Sequence, residues 1–320
     1  MRPPAVGRPS SLRSAISQLR GWVSRSATAA WAEPAASPAP AAASPPVGNV
    51  VITARRPKPE PPPTYRQEVR KFVQEEGRPG PFGLISRWEQ PLCPKAAGLS
   101  PALNQFVEHR IGEIAARVGA RVRADCPRDA NVLVVFTTEP DRLMADVRDR
   151  HPALLGFHFI GETRSVSAFE PPMKSWYVTM TSVPGAFAMF DQAYAPGPPE
   201  TGSGSRIHLP LHSGFALALI VVDPSRLEGR EIGQVADRIA MLALSRPARH
   251  AGCSALPSVM DVLDPACGSN SDDHGLTSYD EAYLKALYAT DLGEPRGYER
   301  DLMARRILKE GAPPAASPPR

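Results

Sequence analysis

Residues 215–222 read FALALIVV, and every one of the eight is apolar. A run of strand length that never alternates predicts a β-strand buried on both faces. Upstream, residues 173–182 do alternate, setting Trp176, Val178 and Met180 against Tyr177, Thr179 and Thr181, as a half-buried strand should. Residues 131–137 (NVLVVFT) are a third, β-branched run of strand length. Thr138 follows it and is placed to cap a helix, with Asp141 three positions on. Ser100 and Pro101 open a long amphipathic helix in which Leu103, Phe106, Val107, Ile111, Ile114, Ala115 and Val118 recur at three- and four-residue spacing before Gly119. Three more helices are predicted over 231–245, 278–289 and 298–309. The middle one starts at a capping box, Thr277 with Asp280, and turns Tyr279, Tyr283, Leu284, Leu287 and Tyr288 inward. Residues 184–205, rich in Gly and Pro, read as a mobile surface loop. Helices and strands thus mix without a regular strand–helix–strand rhythm. That order predicts an α+β fold, a single domain with a small mixed sheet packed by several helices, rather than a doubly wound sheet.

Around this body, assigned to residues 65–310, the composition changes. Residues 33–64 are mostly Ala, Pro and Ser and read as a disordered, semi-stiff linker; residues 311–320 repeat that composition as a tail. Residues 1–64 hold eight of the basic side chains against only Glu33 and Glu60. Of the net charge of +4, the remainder of the chain therefore carries about −2. A near-neutral body argues against nucleic-acid binding. No run of 18 apolar residues exists, so no transmembrane segment is expected. Residues 1–32 form a candidate leader, with a basic start and an Ala30-Trp31-Ala32 ending that suits cleavage, although Arg20 and Arg25 interrupt its apolar stretch.

Four cysteines, Cys93, Cys126, Cys253 and Cys267, fall into two sequence-local pairs. An even count behind a candidate leader favours two disulfides in an oxidising compartment; the alternative is four buried reduced thiols in a cytoplasmic protein. A Cys253–Cys267 bridge would close about 15 residues and contribute roughly 3 kcal/mol, and Cys93–Cys126 slightly more. No Cys-x-x-Cys and no His at ligand spacing accompanies them, so no metal is expected there.

The chemistry-bearing motifs are sparse. A zinc helix needs two imidazoles one turn apart, yet the nearest frame, Ala236-Asp237-Arg238-Ile239-Ala240, has alanine at both ligand positions. His208 and His212 are the one close histidine pair; Pro210 forbids a helix between them, and a strand would hold them about 13 Å apart. Asp272, Asp273 and His274 read as a solvated turn, because the alternating acids of a calcium loop are absent. No Gly-x-Ser-x-Gly elbow occurs, and Gly202 and Gly204 do not join a strand to a helix, so no cofactor is implied. The remaining Glu, Asp and Arg residues of the body read as solvated surface.

The strand at 215–222, the helix bearing Ala236 and Ala240, and Leu276-Thr277-Ser278-Tyr279-Asp280 running into Leu287-Tyr288 resemble a zincin-type, metzincin-like fold. In that family a similar helix follows the metal helix and packs on it. The resemblance implies a degenerate, zincin-like body without metal ligands, so no catalytic residue carries over. Arg87-Trp88-Glu89-Gln90-Pro91-Leu92-Cys93-Pro94, the 126–137 segment, Gly233-Gln234-Val235-Ala236-Asp237 and Leu256-Pro257-Ser258-Val259 resemble exported proteins of alphaproteobacteria for which no activity is implied. Residues 50–56 (VVITARR) resemble the stretch after the leader of alphaproteobacterial outer-membrane receptors, which would point to a protein partner in the cell envelope. The expectation is a non-enzymatic exported protein, periplasmic or secreted, that binds or scaffolds. The alternatives are a hydrolase built on His208, His212 and Asp237, and a cytoplasmic accessory protein.

Overall fold

The computed structural model describes residues 63–80, 83–126, 130–156, 163–170, 172–182, 189–190, 212–248, 252–267, 275–291 and 298–310. The candidate leader, nearly all of the linker, the C-terminal tail, His208 and Asp272 to His274 lie outside them. Within them the chain is α+β. Its five strands are β1 (Pro94–Ala97), β2 (Val132–Phe136), β3 (Met173–Ser182), β4 (Met189–Phe190) and β5 (His212–Val222), in the sheet order β1-β2-β5-β3-β4. β1, β2 and β5 run parallel, whereas β3 is antiparallel to both β5 and β4.

β5 occupies the centre, which explains its unbroken apolar run. Its Ala218, Ile220 and Val222 face one side of the sheet with Val132, Val134 and Phe136 of β2. Its Leu217, Leu219 and Val221 face the other with Trp176 and Val178 of β3. The first face is covered by α1 (Pro63–Glu76), α2 (Pro101–Arg117), α5 (Ile232–Leu244), α6 (Ser278–Ala289) and α7 (Tyr298–Glu310). Met144 and Val147 of α3 (Pro140–Arg150), with Leu154 and Leu155 of a following 3-10 turn, cover the second, and α4 (Thr163–Ser167) flanks them.

α5 is the most buried helix, with Val235, Ala236, Ile239 and every residue from Ala240 to Leu244 in the core. Its last residues are buried, and a helix end leaves their carbonyls without intrahelical partners. Three aromatic side chains satisfy them in succession: Tyr177 donates to Leu242 O at 2.8 Å, Trp88 Nε1 to Ala243 O at 2.7 Å, and Tyr288 to Leu244 O at 2.9 Å. Arg87 does the same for α6, donating to the carbonyls of Leu287 and Thr290. The 87–94 motif is thus a capping segment.

Several expectations change. β1 and α1 carry no strong local signal, and α1 begins at Pro63, inside the stretch read as linker. Thr138 does not cap α3: Pro140, pre-set for a first helical position, makes Glu139 the N-cap, and no side chain caps it. Within 184–205, Met189 and Phe190 pair with Thr181 and Met180 as β4; the rest of that stretch lies outside the described residues. Gly98, at φ 103°, ends β1 where a Cβ would run into the Phe136 carbonyl oxygen. The Thr277–Asp280 capping box forms as expected.

Both disulfides are present, Cys93–Cys126 with Cα atoms 5.7 Å apart and Cys253–Cys267 at 5.2 Å. Cys93 is fully buried while Cys253 is exposed. Replacing Cys253 and Cys267 together by alanine should therefore cost about 3 kcal/mol of chain-entropy stabilisation, and replacing Cys93 and Cys126 more, because core packing is lost as well. Equilibrium denaturation measures both; equal losses, or none, would contradict this placement of the bridges.

Candidate functional site

The phase of the β3–β5 ladder decides where a site can form. Asp223 N–H donates to Pro172 O at 2.9 Å, and Ala218 N–H turns the other way to Asn131 O. Lys174, Trp176 and Val178 therefore direct their backbone groups to β5, and Met173, Ser175 and Tyr177 direct theirs outward. Among the described residues β4 meets β3 at Met180 and Thr181. Among the described residues nothing pairs with the outward groups of Met173, Ser175 and Tyr177.

A cleft of about 750 Å³ lies along this stretch. Arg238 and Leu242 of α5, with Arg246 just beyond its C-cap, form one wall, and Leu155 and Val166 line the cleft as well. Met260, Asp261 and Asp264 reach the cleft from the disulfide-closed loop, and Arg78 joins them. Two cations lie against aromatic rings, Lys174 Nζ 5.3 Å from the Trp176 centroid and Arg246 Cζ 6.0 Å from that of Tyr177. Lys174 also donates to Ala168 O and lies 3.6 Å from Glu170.

Behind the loop lies a buried acidic cluster that contradicts the reading of the body's acids as solvated surface. Glu76, Asp237 and Asp280 are at most 1% exposed. Asp280 accepts from Ser258 Oγ at 2.6 Å, Val259 N at 2.8 Å and Thr277 N at 2.9 Å. Asp261 accepts from Ser254 N, and Glu75 from Ala255 N at 2.8 Å. Arg238 donates to Met260 O. Helices α1, α5 and α6 thus each hold the 253–267 loop by a charged side chain. Ser254 Oγ donates to Glu76 Oε1 at 3.4 Å, and among the described residues Oε2 has no partner. Burial, with the Asp280 and Asp261 carboxylates nearby, pushes Glu76 up to about 8, against the pull of Ser254. Burial also pushes Arg238 down to about 10, opposed by Asp261, Glu76 and Asp264.

Of the candidates singled out from the sequence, His208 lies outside the described residues, and His212 and Asp237 engage different partners. His212 Nδ1 lies 3.0 Å from Glu89 Oε1. Asp237 is saturated elsewhere: Arg110 grips both of its oxygens, with Nη2 at 3.0 Å from Oδ2, and Leu276 N–H donates to Oδ2 at 2.8 Å. Its carboxylate also fills the space where a Cβ on Gly275 would sit, so Asp237 joins α2, α5 and the entry to α6. Ala236 and Ala240 are fully buried in the core. Among the described residues no group of three or more His, Cys, Asp or Glu is placed to hold a metal ion, and no helix is long and apolar enough to cross a membrane. Sequence reasoning missed Glu76, Arg238 and the cleft. For Glu76 a signal existed, since Tyr65, Val69, Phe72, Val73 and Glu76 form one helical stripe and an acid on an apolar stripe is a buried acid.

Comparison with protein-family models, with curated proteins and with solved structures finds no match for this chain. Geometry alone therefore speaks for the site, and it offers paired cations, aromatic faces and open backbone groups, a set suited to holding a ligand.

Glu76 makes the fold pH-sensitive in a defined direction. A carboxyl raised in the folded state stabilises fully below its ordinary value of 4.5, and that contribution is lost as pH rises toward about 8. Glu76→Gln keeps the neutral shape. Between pH 5 and 8 the wild-type unfolding free energy should fall more steeply than the variant's, by up to about 1.4 kcal/mol per pH unit. Urea denaturation at pH 5, 6.5 and 8 checks this; parallel pH profiles would contradict it.

Proposed function

We propose that the chain is an exported, non-catalytic binding protein of the cell envelope, periplasmic or secreted, whose ligand occupies the cleft beside β3. The observation that carries the reading is the pairing of all four cysteines, leaving none free, since structural disulfides persist in oxidising compartments and are rare in reducing ones. The resemblance to exported alphaproteobacterial proteins supports it, as does the candidate leader ending at Ala32. A binding role suits a cleft whose cations lie on aromatic faces, while His212 and Asp237 are engaged with Glu89 and Arg110. In this reading the body is a degenerate zincin-like scaffold, with Ala236 and Ala240 spent on core packing. The 253–267 loop, closed by a disulfide and held from three helices, keeps the Asp261 side of the cleft in shape.

Mass spectrometry of the protein from its native host, without reductant, tests the proposal. The expected species begins near Glu33 and carries two disulfides. An intact Met1 with four free thiols would overturn it.

A further inference from the structure

We infer that the open edge of β3 takes an extended peptide of a partner protein as an added strand, with acidic side chains turned toward Arg78 and Arg246. This deepens the binding role proposed above and rests on it. The two edges of the sheet differ. On β1 the outward Ala96 N–H is already used, donating to Glu108 Oε1 of α2 at 2.9 Å, so a helix covers that edge. On β3 the outward groups of Met173, Ser175 and Tyr177 recur every second residue, and among the described residues none of them is paired. An exposed edge of this kind is a template for another strand, and proteins ordinarily blunt it. Here it instead lies along a cleft of about 750 Å³ whose lining includes Met173 to Tyr177 and Thr179 of β3.

The walls select the side chains of such a segment. Side chains of an added strand alternate between the two faces of the sheet. Those on the Ser175 and Tyr177 side meet Arg78, Arg238 and Arg246; those on the Trp176 side meet Leu155 and Val166 beside the Lys174–Glu170 pair. The lining carries four cations against the three acids Glu170, Asp261 and Asp264. Glu170 lies 3.6 Å from Lys174, Asp261 and Asp264 lie close to Arg238, and Arg246 lies on the Tyr177 ring, so the lining keeps a positive charge in excess. The complementary peptide therefore alternates acidic and apolar residues. Backbone hydrogen bonds supply affinity and the two walls supply selectivity.

Fluorescence anisotropy of a labelled Val-Glu-Val-Glu-Val-Glu peptide, titrated with the full oxidised chain, tests this. Saturable binding is expected, with the Val-Lys-Val-Lys-Val-Lys counterpart weaker by tenfold or more, roughly the 1.4 kcal/mol of one decade. Ser175→Pro removes an N–H on the side away from β5, a place where an edge strand accepts proline, so the variant should fold and lose at least tenfold in affinity. Arg246→Glu and Arg78→Glu should weaken binding as well, and they decide the matter if Ser175→Pro fails to fold. Equal binding of the two peptides, or equal binding by wild type and the variants, would overturn the inference. So would a dimer in sedimentation that Ser175→Pro abolishes, because the edge would then belong to a second copy. No peptide binding by a chain found processed and oxidised in its host removes this inference alone; free thiols and an intact Met1 remove the exported reading instead.

Discussion

β5 has no wet face, and most of the architecture follows from covering it. A central strand with Leu217, Leu219 and Val221 on one side and Ala218, Ile220 and Val222 on the other needs an apolar layer above and another below. The thicker layer buries the C-terminal end of α5, whose last carbonyls need partners from outside the helix. An unmade buried hydrogen bond costs about 1–3 kcal/mol. Trp88, Tyr177 and Tyr288 each remove one such cost, and each comes from a different part of the chain. A requirement of backbone chemistry thus ties the 87–94 segment, β3 and α6 to one helix end.

The same burial accounts for the acids inside the body. Residues 253–267 lack regular structure apart from two short 3-10 turns, so their backbone donors need partners from elsewhere. Glu75 and Asp280 provide them, Asp261 adds an acceptor from within the loop, and Cys253–Cys267 closes it covalently. Glu76, packed beside two other carboxylates with one oxygen unpartnered, resists ionisation because a second buried charge there would be repelled and desolvated. Loop, cluster and cleft share Asp261, whose carboxylate lies near Glu76.

Much of this was legible in the residues. The alternation of 173–182, the helical spacing of 101–117 and the Thr277–Asp280 box are local signals, and each became the expected element. β1 was not legible: Pro-Lys-Ala-Ala has no strand preference and is held by Glu108 and by Asn131, whose Oδ1 accepts from Cys93 N–H. Thr138 offered a cap that Pro140, one turn position too late for it, displaced. The cleft had no local signature at all. It is assembled from positions 78, 155–179, 238–248 and 252–264, and it depends on which way the backbone of Ser175 faces, a property of strand pairing rather than of residue type. His212 and Asp237 drew notice as titratable residues, whereas their surroundings give them structural partners.

The proposed binding role rests on the Met173 to Tyr177 stretch of β3 being paired with β5 and, among the described residues, unpaired on its other side. Amide hydrogen exchange along that strand reads this residue by residue. The Lys174, Trp176 and Val178 amides should exchange as slowly as those of β5, while the Ser175 and Tyr177 amides exchange roughly a hundredfold faster or more. Slow exchange at Ser175 and Tyr177 equal to that at Trp176 would mean that the edge is already filled, and would contradict the account.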